Sequence, residues 1–285
     1  MPSILPRSFF IRQPHTHKGN YGHVVVIGGS IGLTGAPVLC AQAALRAGAG
    51  LVTLAVPESV YFIAASKLTE VMVHPLSEGA GGAFSAAAAV QLKPFLDKAT
   101  CIALGPGLSQ KPSAAGFVHQ LLKKTKCPVV LDADGINVCA GRSRALLRKS
   151  PARIVITPHP GEMARLLGIT TEKVQRHRVA VAEKTARDLG VIVVLKGHRT
   201  IVAASGEKTY LNSTGNPGMA TAGMGDLLAG IIVAFIGQGI DLFSAAKAGV
   251  YLHGLAGDIA AAKVGQVSLI ASDLLEALPS VFCRA

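Results

Sequence analysis

Tryptophan is absent, aromatic residues make up only 5% of the chain, and acids are outnumbered, 16 Asp and Glu against 28 Lys and Arg. The shortage of aromatics removes the stacking platform that single-stranded nucleic acids need. The formal charge of +12 therefore reads as a basic face that attracts small phosphates, with no nucleic-acid partner. Its densest stretches are Lys123, Lys124 and Lys126, then 142–149, then 176–187. Despite a mean hydropathy of +0.45, no uncharged apolar run approaches the roughly 20 residues of a membrane span. The best candidate, Leu227 to Gln238, follows Asp226 and suits a buried helix. Paired cysteines are missing as well. Cys40, Cys101, Cys127, Cys139 and Cys283 are odd in number, scattered, and without a CxxC spacing. This argues against a disulfide framework or a zinc site and for reduced thiols in a cytoplasmic protein. The N-terminal region has no long apolar stretch of the secretory kind. Arg7 and Arg12, with no acid before Glu58, leave mitochondrial import open, although Pro2, Pro6 and Pro14 oppose an amphipathic helix.

What the chain has in plenty is glycine, 32 residues, and apolar side chains, half of its 285 residues. That is enough for a sizeable core and for many close backbone approaches. Short β-branched runs alternate with helical stretches. Strands are expected at His23–Ile27, Leu51–Val56, Val71–His74, Cys101–Leu104, Pro128–Asp132, Ile154–Thr157 and Val191–Leu195. Helices are expected at Pro37–Ala47, Glu58–Ser66, Ala86–Leu96, Pro112–Lys124 and Glu172–Leu189 and over the last 45 residues, with EGAGGAFS as a loop and a hairpin around Ser205 and Gly206. Continuous apolar strands separated by helices require an α/β fold, a mainly parallel sheet covered on both faces. No composition break divides it, so one domain is expected over 21–285, after an arm of residues 1–20.

Special residues gather after strand ends: the loop from Gly28, GPG at Gly105–Gly107, DAD at Asp132–Asp134, TPHPGE at Thr157–Glu162 and KGHRT at Lys196–Thr200. In open α/β sheets ligands bind there. GGSIGLTG lacks the GxGxxG spacing, and no acid follows about 20 residues later, so a dinucleotide fingerprint is rejected. The most distinctive stretch is NSTGNPGMATAGMGDLLAGIIVAF, 212–235. A glycine loop feeding a buried helix exposes unpaired N–H groups and the positive end of the helix dipole, a seat for a phosphate. Gly223, Met224 and Gly225 would supply the donors. Asp226 would be either a helix cap or a general base. His159 reads as a ligand contact or a helix-capping histidine, and Lys196 as a ligand contact or an ordinary strand-end lysine. Glu162 orders phosphates or is a surface acid, and Asp132 orients the crevice or caps a turn. His15, His17, His23 and His253 have no ligand spacing and are structural.

KGNYGHVVVIGGSIGLTGAP, AALRAGAGLVTLAVP, ALGPGLS, VVLDADGIN, ITPHPGEMARLLG, VVLKGHRTIVA, NSTGNPGMATAGMGDLLAGIIVAFIGQG and AAKAGVYLHGLAGD resemble, in order, the ADP- or ATP-dependent NAD(P)H-hydrate dehydratases. These belong to the ribokinase-like superfamily, and the resemblance covers about residues 18–280. It implies repair of hydrated NADH and NADPH, the S epimer, with ADP or ATP as co-substrate and Mg²⁺ as cofactor. By the same resemblance the hydrated nucleotide would contact Ala36, Gly107, His159 and Asp226. ADP or ATP would contact Lys196, Gly197, His198, Arg199, Thr200 and Gly225, and Asp226 would act as base beside the amides of Gly223, Met224 and Gly225. The metal ligands stay unknown. An NAD(P)H-hydrate epimerase, fused N-terminally in many members, is expected as a separate companion, and a homo-oligomer, a tetramer by family precedent, is expected. Met224 stands where relatives carry Thr or Ser, which implies loss of a hydroxyl contact to phosphate. The alternatives are a small-molecule kinase such as a hydroxyethylthiazole kinase, or a non-catalytic nucleotide-binding protein.

Overall fold

A computed structural model describes residues 4–79 and 81–283. Pro2 of the arm and Ala80 of EGAGGAFS lie outside the described residues. The first half of the chain runs β1 (His23–Ile27), α1 (Gly35–Arg46), β2 (Leu51–Pro57), α2 (Tyr61–Ala65), β3 (Met72–Leu76), β4 (Glu78–Gly79), β5 (Ala83–Phe84), α3 (Ala88–Gln91), α4 (Lys93–Leu96), β6 (Cys101–Leu104), α5 (Pro112–Lys124) and β7 (Val129–Leu131). Next come α6 (Asp134–Asn137), α7 (Ala145–Lys149), β8 (Ile154–Ile156), α8 (Pro160–Leu167), α9 (Thr171–Arg176), α10 (Arg178–Leu189) and β9 (Ile192–Leu195). The chain ends with β10 (Ile201–Ala203), β11 (Tyr210–Leu211), α11 (Met224–Gly237), α12 (Leu242–Val264) and α13 (Ala271–Phe282).

Nine strands form one sheet in the order β11-β10-β9-β8-β7-β6-β1-β2-β3. It is parallel from β3 to β9, and the expected hairpin adds β10 and β11 in antiparallel steps. The inner strands are buried on both faces, so alternate side chains feed two cores. Val24, Val26, Leu54 and Val130 pack under α1, α11, α12 and α13. Val25, Ile27, Ile102 and Leu131 pack under α5, α8 and α10. The chain winds outward from β1 to β3, then restarts at β6 on the other side of β1. That reversal lies between β1 and β6, and the carboxyl ends of strands at such a point are the usual ligand position in these sheets. The arm packs on this body: Leu5 is buried, and Phe9 meets the ring of Phe235 edge-on at 5.1 Å.

Three expectations are corrected. The Ala86–Leu96 helix is two single turns, because Pro94 lacks the N–H that a continuous helix would bond. The Glu172–Leu189 helix breaks at His177, whose φ of −130° and ψ of 37° are not helical. EGAGGAFS is not only loop, since Glu78–Gly79 and Ala83–Phe84 pair as a short antiparallel ribbon.

Candidate active site

Two tight backbone contacts bring the strand-end loops together. A Cβ on Gly28 would fall 2.2 Å from the Pro106 carbonyl oxygen, and one on Gly105 would fall 1.9 Å from that of Asp132. Glycine at both positions lets the loops after β1, β6 and β7 touch. Ser30 ties the first two further by donating from its hydroxyl to the Gly107 carbonyl at 2.9 Å. Ala36 stands partly buried in the first turn of α1, and Gly107 is buried, where a Cβ would fall 2.4 Å from the Leu33 carbonyl oxygen.

At the ends of β7, β8 and β9 lies a charged cluster. Asp132, 1% exposed, accepts from the Thr157 hydroxyl at 2.6 Å and from Lys196 Nζ at 2.9 Å. Glu162 is 3.8 Å from the same ammonium and is 5% exposed, so the surface-acid reading is overturned. Its Oε2 accepts from the His159 amide at 2.7 Å, while His159 Nδ1 accepts from the Gly161 amide at 3.0 Å. This reciprocal arrangement is a capping box at the start of α8. His159 does cap the helix, yet its side chain is 54% exposed, with Nε2 3.5 Å from Glu162 Oε1. Burial pushes the Glu162 carboxyl up, against the pull of Lys196, with Asp132 adding to the rise. For Lys196 burial acts downward, but Asp132 and Glu162 outweigh it and the ammonium is held above its ordinary value.

Lys196 also reaches the glycine loop, since a Cβ on Gly225 would lie 3.2 Å from its Nζ. Here the capping reading of Asp226 fails. Gly223, at φ 86°, is the residue that enters the helix, with no side-chain cap, and Asp226 is the third residue of α11. Its carboxyl is pushed up to about 7, first by burial and then by the negative charge of Asp132, with Lys196 opposing and Glu162 reinforcing. The first amide of α11 with an intrahelical acceptor is that of Leu227, which donates to the Gly223 carbonyl at 3.1 Å. The amides of Met224, Gly225 and Asp226 are thus the orphan donors of the helix start. The Met224 side chain, 5% exposed, belongs to the apolar core, so this position offers the loop its backbone.

The long helix α12 fixes this loop through residues that sequence reasoning did not single out or left without a role. His253 Nε2 donates to the Met224 carbonyl at 2.9 Å, and burial lowers the ring to about 4, so it is neutral. Asp258 accepts from the Gly215 amide and the Asn216 side chain, each at 2.9 Å. Asn212 donates to the Val250 carbonyl at 3.1 Å. In the sequence His253 and Asp258 look like any helix residues; only the packing of α12 under the loop gives them a task. In KGHRT, Gly197, His198 and Arg199 are exposed at the rim and Thr200 is partly buried. Among the described residues no group of three or more His, Cys, Asp or Glu is arranged to hold a metal.

A largely parallel nine-stranded sheet covered by helices on both faces, with buried charged side chains gathered beyond the carboxyl ends of β7, β8 and β9, defines a ribokinase-like α/β protein. Residues 24–280 match the family model described as NAD(P)H-hydrate dehydratase, and the chain belongs to that family. It is 49% identical over 279 residues to the bifunctional NAD(P)H-hydrate repair enzyme Nnr of Moorella thermoacetica, covering 98% of this chain and 52% of the relative. It is 37% identical over 276 residues to the ADP-dependent (S)-NAD(P)H-hydrate dehydratase of Neisseria meningitidis serogroup B, covering 95% and 88%. The crystal structure of the ADP/ATP-dependent NAD(P)H-hydrate dehydratase of Bacillus subtilis, co-crystallised with ATP and Mg²⁺, superposes with a TM-score of 0.81 at 29% identity, covering 96% and 93%. The chain spans about half the length of the bifunctional relatives it matches.

Proposed function

We propose that this chain dehydrates the S epimer of hydrated NADH and NADPH, using ADP or ATP as phosphate source. The observation that carries this reading is the pairing of Asp226, a carboxyl at about 7, with the unpartnered amides that begin α11. A base of that strength titrates at the working pH of such chemistry. Asp226 takes the proton of the ring hydroxyl as its oxygen bonds the terminal phosphorus of the nucleotide, whose bond to the bridging oxygen breaks and releases AMP from ADP or ADP from ATP. The amides of Met224 and Gly225 and the Lys196 ammonium neutralise the charge gathering on that phosphoryl group. The phosphorylated oxygen then leaves with its C–O electron pair as phosphate, the neighbouring ring carbon loses a proton, and the double bond returns. Ala36, Gly107 and His159 hold the hydrated ring; Lys196–Thr200 hold the nucleotide.

Magnesium fits this site as a companion of the nucleotide, because Mg²⁺ is characteristically bound by phosphates and one or two carboxylates rather than by an all-protein cage. It would neutralise phosphate charge, with Glu162 the side chain to order its water shell. We infer that residues 21–285 act as one domain carrying the arm 1–20. The free thiols of the chain suit a cytoplasmic setting, and an NAD(P)H-hydrate epimerase is the companion that the bifunctional relatives point to. Exposed Phe62 and Ile63 on α2 and Met72 on the edge strand β3 support a homo-oligomer, tetrameric by family precedent, which light scattering would measure. The test of function is recovery of reduced-cofactor absorbance from hydrated NADH with Mg²⁺ and ADP or ATP, together with free phosphate. A phosphorylated product without phosphate release would favour the kinase alternative. No recovery with either nucleotide would remove the proposal, and full recovery in Asp226→Asn would remove the assigned base.

A further inference from the structure

One cation near the crevice has no part in the scheme above. Arg178 is the first residue of α10, just after the break at His177. Its guanidinium fans out over the end of β9. Nη2 donates to the carbonyls of Leu195 at 3.2 Å and Lys196 at 3.3 Å, and Nη1 donates to that of His198. Among the described residues no carboxylate is in ion-pair range of it, and its Nε is buried without a hydrogen-bond partner. A charged side chain spent on carbonyls alone is costly unless their orientation matters.

Two further loop carbonyls are tied down too. That of Gly197 accepts from the Thr200 hydroxyl at 3.1 Å, and that of Thr200 accepts from the Asn212 amide at 2.9 Å. Every peptide bond here is trans, so each N–H points opposite to the carbonyl of its own peptide plane. With the Lys196 and His198 carbonyls drawn onto Arg178, the amides of Gly197 and Arg199 are turned away from it. Among the described residues neither amide has a hydrogen-bond acceptor in the protein. The backbone is bent to allow this. Gly197 sits at φ 134° and Arg199 at φ 54°, conformations that side chains disfavour and that persist only where surroundings impose them. A side chain at 197 would also meet Arg178, since its Cβ would lie 3.0 Å from Nη2.

We propose that Arg178 is the positioning residue of the nucleotide loop: its planar fork gathers the carbonyls of Leu195, Lys196 and His198 so that the amides of Gly197 and Arg199 are presented as donors to a nucleoside di- or triphosphate. Its charge, unmatched by any acid, acts on that anion through the aligned peptides between them. The inference rests on the assignment of 196–200 to the nucleotide, and its test separates the two. Calorimetry with ADP and ATP on wild-type protein comes first; no binding there overturns the function itself. With binding established, Arg178→Gln and Arg178→Lys are expected to raise the nucleotide Kd and KM by about tenfold or more, as loss of charge-assisted hydrogen bonds implies. The KM for hydrated NADH and kcat at saturating nucleotide stay within about threefold, a split that a general loss of packing would not produce. Lys is expected to fail because an ammonium lacks the fork, so full affinity in Arg178→Lys, or unchanged nucleotide affinity in Arg178→Gln, overturns the proposal. Should both variants unfold, hydrogen exchange on wild type decides. ADP is expected to slow exchange of the Gly197 and Arg199 amides about tenfold or more, and equal rates with and without ADP overturn it.

Discussion

Asp226→Asn is expected to stabilise the fold above neutral pH while ending turnover. The carboxyl is pushed from 3.8 up to about 7, first by burial and then by Asp132. A group whose folded pKa is raised contributes stability that is complete below its unfolded value, about 3.9, and is lost as pH rises through about 7. Roughly three units at about 1.36 kcal/mol each amount to about 4 kcal/mol lost by pH 8. At pH 5 the folded side chain is still protonated while the unfolded one is mostly ionised, so only about 1.5 kcal/mol has gone. Asn carries no charge in either state. Its advantage over Asp should therefore be about 0.5 kcal/mol at pH 4, about 1.5 kcal/mol at pH 5 and about 4 kcal/mol at pH 8. Urea unfolding of both proteins across that range measures this directly, read as the midpoint at unchanged slope. A gain independent of pH, or none at pH 8, would refute the account of Asp226 as a charge held against its environment. Retained turnover would refute its role as base.

Three further outcomes follow from the same geometry. The kcat of the wild type should fall about tenfold per pH unit below about 7, and in Lys196→Gln that limb should move upward, because the ammonium lowers the Asp226 carboxyl; a pH–rate profile reads both. Lys196→Met leaves Asp132 and Glu162 buried without their cation, so unfolding at pH 8 should show a loss of about 3–5 kcal/mol. Met224→Thr should cost about 1–3 kcal/mol through lost packing and a buried hydroxyl, without raising kcat, since that side chain faces the core.

The fold was legible because its signals are local. Runs such as HVVVI at 23–27 and CIAL at 101–104 are apolar on both faces, and a run of that kind has few places to go except the middle of a parallel sheet. The loops of the site were legible for a related reason, since Gly, Pro, Asp and His cluster where strands end. What was not legible depended on long-range placement. Glu162 looks like a helix surface acid until the Lys196 ammonium is found beside it, 34 positions away in sequence. His253 and Asp258 have no sequence signature, because their role is set by where α12 crosses the glycine loop. Asp226 looked like a cap because Asp before an apolar run usually is one. The positive φ of Gly223 moved the helix start upstream and freed the carboxylate.

Helices α1 and α11 start, respectively, at the TGAP loop and at the glycine loop, and they lie so close that a Cβ on Gly230 would fall 2.2 Å from the Cys40 carbonyl oxygen. The spacing between the starts of the two helices is therefore set deep in the interior, and a side chain added at Gly230 alone would force the helices apart and with them the two loops from which they begin.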